Sequence, residues 1–414
     1  MIRTFWTACL VLALGGCASD RYLANRGHEL FRRREWTQAA AAFGAEAAKP
    51  GANQVLFLLD QATALFAAHK YDEAIPVFLQ AEKLTEIKDY TSISEEVGTL
   101  VTSGNVRGYK GEDYEKVLVN VYLALSYAAV GKLEDAQVEA RKINLILYRM
   151  IHDGKRNYEE SPFARYFAAM LWEADRNWND AYIDYKKTWE LDPAFPDIGR
   201  DLIGASKKMG FTDELQKWKA QFPEAKPRWE HGQQEPVRGV SSDGELVAVF
   251  EKGLSPVKVP RNDENSSLPR YMVRYSEVGS ARLKINGETA GTFVPALDIT
   301  KTSTRYLEDR IGRMMAAKVA GIAVKGALAV GVAKLSKSED LGQLAFLALL
   351  LSDRADLRSW RTLPGELQMA RVPLRAGTYD VEIEVLGWSG EVLRKESFPK
   401  VEIKTGQKKF IVGR

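Results

Sequence analysis

The sequence predicts a mainly helical α+β protein. An array of paired helices over residues 17–221 precedes a small antiparallel β-sandwich-like domain over 245–414, which carries an inserted Gly- and Ala-rich helical segment at about 304–352. Three observations predict this. One spacing of small and bulky apolar residues recurs in four windows of the first half. After a linker at 222–244 rich in Pro, Gly, Gln and Ser, the apolar period changes from helical to two. Within that second half, a proline-free run of Ala, Gly and Leu interrupts the alternation.

Residues 1–16 read as a secretory leader: Arg3 gives the basic zone, Phe5 to Leu14 the apolar zone, and Gly15 and Gly16 the small residues before a cut. The apolar zone is too short to span a bilayer. Leu14-Gly15-Gly16-Cys17 resembles the lipobox, in which the thiol is acylated and the chain is cut just before it, so Cys17 is the expected lipidation site. The competing reading is an ordinary cleaved leader with an incidental cysteine. The other cysteine, Cys9, falls inside the leader, which leaves Cys17 without a disulfide partner and the fold held by packing alone. An acylated terminus carrying more than one chain gives stable attachment. Ala18 follows the cysteine instead of the Asp linked to inner-membrane retention, so the resemblance implies a lipid anchor on the periplasmic face of the outer membrane of a Gram-negative cell.

The four windows share one set of offsets. They are Gly27, Leu30, Trp36, Ala39 and Phe43; Ala62, Leu65, Tyr71, Ala74 and Phe78; Ala124, Tyr127, Leu133, Ala136 and Ala140; and Ala169, Trp172, Trp178, Ala181 and Tyr185. Two short antiparallel helices that cross closely need a small residue on each at the crossing and bulky ones around it, and apolar residues three or four apart supply the facing stripes. Polar turns separate the helices, and Pro193 stops the fourth pair. Together the windows resemble the tetratricopeptide repeat (TPR). Ile198 to Gly210 and Thr212 to Gln221 supply a last pair that shields the apolar end of the array.

Windows two and three are separated by 27 residues more than the interval of 35 between one and two. This insertion, Glu86 to Asp113, contains a glycine-rich polar loop from Ser103, and long loops within compact domains are often functional. Its Arg107, Tyr109, Glu112 and Asp113 form the candidate interaction loop. A plainer role for Asp113 is to cap the helix that follows.

In the second half, Glu245 to Glu251, Tyr271 to Tyr275 and Ala281 to Ile285 are β-prone runs, with Asn286-Gly287 as a hairpin turn. Thr378 to Val385 alternates apolar and polar residues, and Val401 to Lys404 and Phe410 to Val412 follow. In the inserted segment, Lys318 and Lys325 oppose membrane insertion, since a lysine at mid-bilayer costs about 2.5–3.5 kcal/mol. Leu341 to Leu351 is too short to cross a bilayer. The segment is expected as a helical layer between the two halves. The small residues Gly321, Ala329 and Gly331 leave open a self-association or partner helix.

The chain carries 58 basic and 55 acidic residues, a net charge of +3, which excludes a nucleic-acid-binding balance. The histidines, His28, His69, His152 and His231, form no metal spacing, and neither a phosphate-cradling glycine loop nor a Gly-x-Ser-x-Gly elbow occurs. Glu112, Asp113 and Glu115 cluster, but acids at a helix start serve its dipole. No metal, cofactor or catalytic residue is expected, and the chain reads as a non-enzyme.

Several phrases resemble an uncharacterised family of bacterial TPR outer-membrane lipoproteins along nearly the whole mature chain. They are Tyr109-Lys110-Gly111-Glu112-Asp113-Tyr114-Glu115-Lys116, Val138-Glu139-Ala140-Arg141-Lys142-Ile143-Asn144, Ser161-Pro162-Phe163-Ala164-Arg165-Tyr166, Gly253-Leu254-Ser255-Pro256-Val257-Lys258, and Asp356-Leu357-Arg358-Ser359-Trp360 with Leu363-Pro364. The resemblance implies architecture and location, and a connection with cell-wall synthesis through a neighbouring activator of penicillin-binding proteins. The expected function is a membrane-anchored scaffold whose concave helical surface binds an envelope protein or peptide segment. The alternative is an oligomeric envelope or export component that assembles, or contacts the membrane, through 304–352.

Overall fold

A computed structural model describes residues 25–91, 108–152, 161–225, 244–262, 268–336, 338–341, 343 and 355–414. Cys17 and Arg107 lie outside the described residues. Before the first strand, helices follow in pairs: α1 (Arg26–Arg32) with α2 (Trp36–Ala47), α3 (Gln54–Ala67) with α4 (Tyr71–Thr91), α5 (Asp113–Ala129) with α6 (Leu133–His152), α7 (Pro162–Ala174) with α8 (Trp178–Leu191), and α9 (Ile198–Met209) with α10 (Thr212–Gln221). The small residues of the four windows lie where the helices cross: Ala39, Ala62, Ala74, Ala124, Ala136, Ala169 and Ala181 are fully buried. At Gly27 a Cβ would come within 2.5 Å of the Phe43 ring, so nothing larger than glycine fits there without a shift.

Every pair turns through one left-handed residue two positions before its second helix: Arg34 (φ 64°), His69 (58°), Gly131 (80°), Arg176 (59°) and Gly210 (70°). The N–H that follows donates to the carbonyl five residues back, Glu35 to Leu30, Lys70 to Leu65, Lys132 to Tyr127, Asn177 to Trp172 and Phe211 to Ser206. This is the Schellman closure, which satisfies carbonyls that the helix end leaves open. Glycine adopts the conformation freely, yet three of the five turns use Arg or His.

The second half forms two four-stranded sheets. In the first, β10 (Lys408–Gly413), β1 (Gly244–Lys252), β7 (Glu366–Leu374) and β6 (Val294–Asp298) lie in that order. The second has the order β5 (Glu288–Thr292), β4 (Val278–Ile285), β8 (Gly377–Gly387) and β9 (Val392–Ile403). A ribbon of β2 (Val257–Pro260) and β3 (Pro269–Met272) stands apart. The Asn286-Gly287 turn joins β4 to β5 with φ of 50° and 84°, the signs a two-residue hairpin needs.

The sheets correct the purely antiparallel expectation, because β1 and β10 pair in parallel, from Glu245 with Lys408 to Phe250 with Gly413. The reason is topological. Beyond β9 the chain crosses from the second sheet to the first, so β10 meets β1 without the hairpin that enforces antiparallel pairing.

Strand β1 is buried on both faces. Leu246, Ala248 and Phe250 pack on the second sheet with Leu283, Ile383 and Val385, while Val247 and Val249 join Phe410, Val412 and Met369 in the core shared with the helices. The order of layers is thus helices, first sheet, second sheet. A strand covered twice reads as a continuous apolar run, which is why Leu246 to Phe250 shows no alternation.

Helix α11 (Ile299–Ser336) begins five residues ahead of the expected 304, because the Asp298 carboxylate accepts the Lys301 N–H (2.8 Å) and so caps the helix there. Its start packs on the body through Leu307, but most described side chains from 327 to 336 are exposed. Among the described residues of α11 the buried positions are Ile299, Ser303 and Leu307 in the first turns and Ala329 further on, so the expected buried layer is met at those places only.

Candidate functional site

The first helix of each pair turns one face toward the strands, and polar residues interrupt its apolar run on that face. Asp60 and Thr63 in α3, Glu115 and Tyr122 in α5, Tyr166 and Glu173 in α7, and Asp201 in α9 all lie there. A buried polar group without a partner is costly. Each of these finds its partner far along the chain, in the second half.

The segment from 355 to 364 lies against the first three pairs without regular structure of its own. Trp360 is fully buried; its backbone N–H donates to Glu115 (2.7 Å) and its indole N–H to Thr63 (2.9 Å), with its ring against Phe78 and Tyr122. The Thr362 hydroxyl donates to Asp60 (2.7 Å), whose other oxygen meets His28 Nε2 at 2.9 Å. Arg358 donates to the Asn53 side-chain oxygen (3.1 Å) and lies over the Tyr109 ring, 5.5 Å from its centre.

A second junction gathers around Arg371 of β7. Its guanidinium meets Glu245 twice at 2.8 Å, Glu173 at 3.0 Å and Asp201 at 3.2 Å, and donates to the Tyr166 hydroxyl at 2.9 Å. Lys408 adds a cation beside Glu173 (3.1 Å) and Glu245. Burial would lower the affinity of Arg371 for its proton, but the surrounding carboxylates raise it well above the ordinary range, so the cation is held. Glu173 is held below the usual carboxylate range: burial opposes this, and Lys408 and Arg371 outweigh it.

A third junction joins Arg414 to the first pair. Its guanidinium lies 4.5 Å from the Phe31 ring centre, donates to the Thr362 carbonyl (2.6 Å) and meets Glu251 (3.3 Å), which also accepts from Tyr122. Arg34 donates to the Arg414 carbonyl and His69 pairs with Glu396 (2.8 Å). These two strained turn residues thus reach across to the sheets, and glycine could not.

The candidate loop is placed in part. Tyr109 is buried, its N–H donating to the Ala52 carbonyl (2.7 Å) and its hydroxyl to Glu115 (2.6 Å). Glu112 is clamped by Lys258 and Arg310; burial would lift its carboxyl, but the two cations hold it at about 2. Burial, reinforced by the charge of Glu112, pushes Glu115 up to about 6. Asp113 is the first residue of α5 and not its cap: Glu112 occupies the cap position, its N–H accepted by Glu115 (2.9 Å). The described part of the loop thus contacts the second half of the chain itself.

The arrangement binds and orients one half of the molecule on the other. Among the described residues no group of three His, Cys, Asp or Glu could hold a metal ion, and no helix is long and apolar enough to cross a membrane. A cleft of about 600 Å³ between the α3–α4 turn and β9 includes His69, already committed to Glu396 and Tyr71. The sequence did carry one unused signal for the junctions: Asp60 and Thr63 stand inside Leu56-Phe57-Leu58-Leu59 and Ala64-Leu65-Phe66, where burial demands a partner.

No family model matches the chain, and no curated relative does. Over about half of its length the chain is similar to several solved structures. One is MamA, at 14% identity and a TM-score of 0.34 over 47% of this chain and 91% of that one. Another is a putative kinesin light chain of Podosopora anserina with nearly identical TPR-like repeats, at 15% identity and 0.32 over 47% and 90%. A third is a tetratricopeptide repeat protein from Parabacteroides merdae, at 15% and 0.33 over 50% and 68%.

Proposed function

We propose that the chain is a non-enzymatic TPR scaffold, held through acylated Cys17 at the periplasmic face of the outer membrane, that binds envelope proteins and is connected with cell-wall synthesis. One observation carries the scaffold reading and changes its geometry: the inner face of the helix pairs is filled by the chain's own Arg358, Trp360, Thr362 and Arg371. The partner surface is therefore assigned to the outer faces. Val138, Leu145 and Tyr148 of α6 are exposed there, at spacings that place them on one side of the helix. A photo-reactive residue at 148, crosslinked in cells, should capture an envelope protein, whereas one at Thr362 should yield only crosslinks within the chain; the reverse pattern refutes the assignment. Cys17→Ser should move the protein from the membrane to the soluble fraction with its helicity intact, and a firmly membrane-bound variant would sink the anchor.

A second reading, assembly through the inserted helix, draws support from exposed Leu328, Val330 and Leu335. Light scattering of the chain with and without 311–352 decides it: a monomer in both cases rules it out.

A further inference from the structure

We infer that Val273, Tyr275, Trp388 and Val392 form a lipid-facing corner that rests on the same bilayer the acylated Cys17 enters; this rests on the anchor reading above. The four side chains are 66%, 89%, 68% and 45% exposed, whereas most other large aromatics among the described residues are covered. Val273 and Tyr275 are exposed on either side of Arg274, whose guanidinium turns inward to the Ser255 carbonyl (2.5 Å). Trp388 stands at the turn between β8 and β9, and its indole N–H donates to the Ser276 carbonyl (2.9 Å), which ties the ring to the segment that follows Tyr275. Lys252 lies 5.3 Å from the ring centre, and Gly387 N–H closes the turn on the Glu391 carbonyl (2.8 Å). Val392 pairs with Leu386 across the same turn. The exposure is thus built and not the result of a slack loop.

The place of the corner selects the occupant. Arg394, two residues from Val392, lies within the field of both Arg34 in the first helix turn and Glu277 beside Ser276. Arg414, stacked on Phe31 of α1, donates its N–H to Glu396 of the same strand (2.9 Å). The corner therefore flanks the first helix pair. Helix α1 has seven residues, about 10 Å of rise, so Asn25 is one short helix away. From Cys17 to Asn25 the chain spans at most about 28 Å when extended. A bilayer holding the acyl chains is thus within reach of the corner. Trp and Tyr, with an apolar body and one polar edge, are the residues enriched at the level of lipid headgroups. The rim charges Lys252, Glu277 and Glu391 are of both signs, so the contact rests on apolar burial and not on anionic lipid.

The test uses the full chain, purified with its lipid and reconstituted into phosphatidylethanolamine and phosphatidylglycerol vesicles with or without brominated acyl chains. Bromine should quench part of the tryptophan emission of the wild type, and Trp388→Phe should lose that quenchable part while its circular dichroism stays unchanged. Val273→Ser with Tyr275→Ser should reduce the quenching, and raised salt should leave it unaltered. An acylated, floating chain that is quenched equally in wild type and Trp388→Phe, or in neither, overturns the inference alone. A dimer that Trp388→Phe dissociates, with no quenching, assigns the corner to a second copy and overturns it as well. A chain that mass spectrometry finds unmodified at Cys17 and that does not float overturns the anchor and the corner together.

Discussion

Replacing Arg371 by Met should separate the helical and sheet halves energetically without emptying space between them. The guanidinium faces the carboxylates of buried Asp201 and Glu245 and of Glu173, whose side chain is 12% exposed, with Lys408 as the second cation beside Glu173 and Glu245. Removing it leaves three carboxylates to one ammonium in a site closed to water. Breaking a buried ion pair by removing one partner costs about 3–5 kcal/mol, a large share of a total stability of roughly 5–15 kcal/mol. The orphaned carboxylates can relieve this by taking up protons, so the deficit should shrink as the pH is lowered from neutrality. Guanidinium unfolding followed by far-ultraviolet circular dichroism at neutral and mildly acidic pH measures both effects. Arg371→Lys should also be destabilised, since one ammonium cannot reproduce the forked contacts. A Met variant within about 1 kcal/mol of the wild type at both pH values would refute the claim that this cluster fastens the halves.

Four further outcomes follow from the same geometry. Trp360→Ala should lose about 3–5 kcal/mol and open residues 355–364 to proteolysis, because a fully buried indole is removed from the core; an unchanged cleavage pattern contradicts its burial role. Glu115 is raised from its ordinary 4.5 to about 6, so its contribution of about 2 kcal/mol is fully present below pH 4.5 and is lost as pH rises through 6. Glu115→Gln should gain on the wild type over that interval, and a constant difference from pH 4 to 7 counts against the shift. Glu112, lowered to about 2, works in the opposite sense: about 3 kcal/mol is present above pH 4.5 and is lost as pH falls toward 2, which acid titration of Glu112→Gln checks by the absence of that loss. Gly131→Ala, in a turn at φ 80° with open space around it, should cost about 1–2 kcal/mol through backbone strain alone, read as a lower melting temperature.

The helix pairs were legible because their determinants are local. Gly27 against Phe43, or Ala62 before Ala74, is a spacing within one hairpin, and the turns close over five residues. The strand Thr378 to Val385 was legible for the same reason, its alternation marking one covered face. Less was readable where two layers cover one strand, as in β1, or where the chain changes sheets before β10. The loop residues Tyr109 and Glu112 drew notice as polar and glycine-flanked, but their partners Lys258, Arg310 and Arg358 lie in other elements and share no pattern with them.

By itself the sequence determined that this chain builds paired helices followed by strands. Periodicity and spacing encode those features because each depends on neighbours a few residues away. Only the tertiary structure decided that the inner face of the helices is already occupied. Thr362 reaches Asp60 across 302 residues and Trp360 reaches Thr63 across 297. A buried polar side chain announces that it needs a partner, but desolvation carries no address, and which residue answers is settled only when the layers pack.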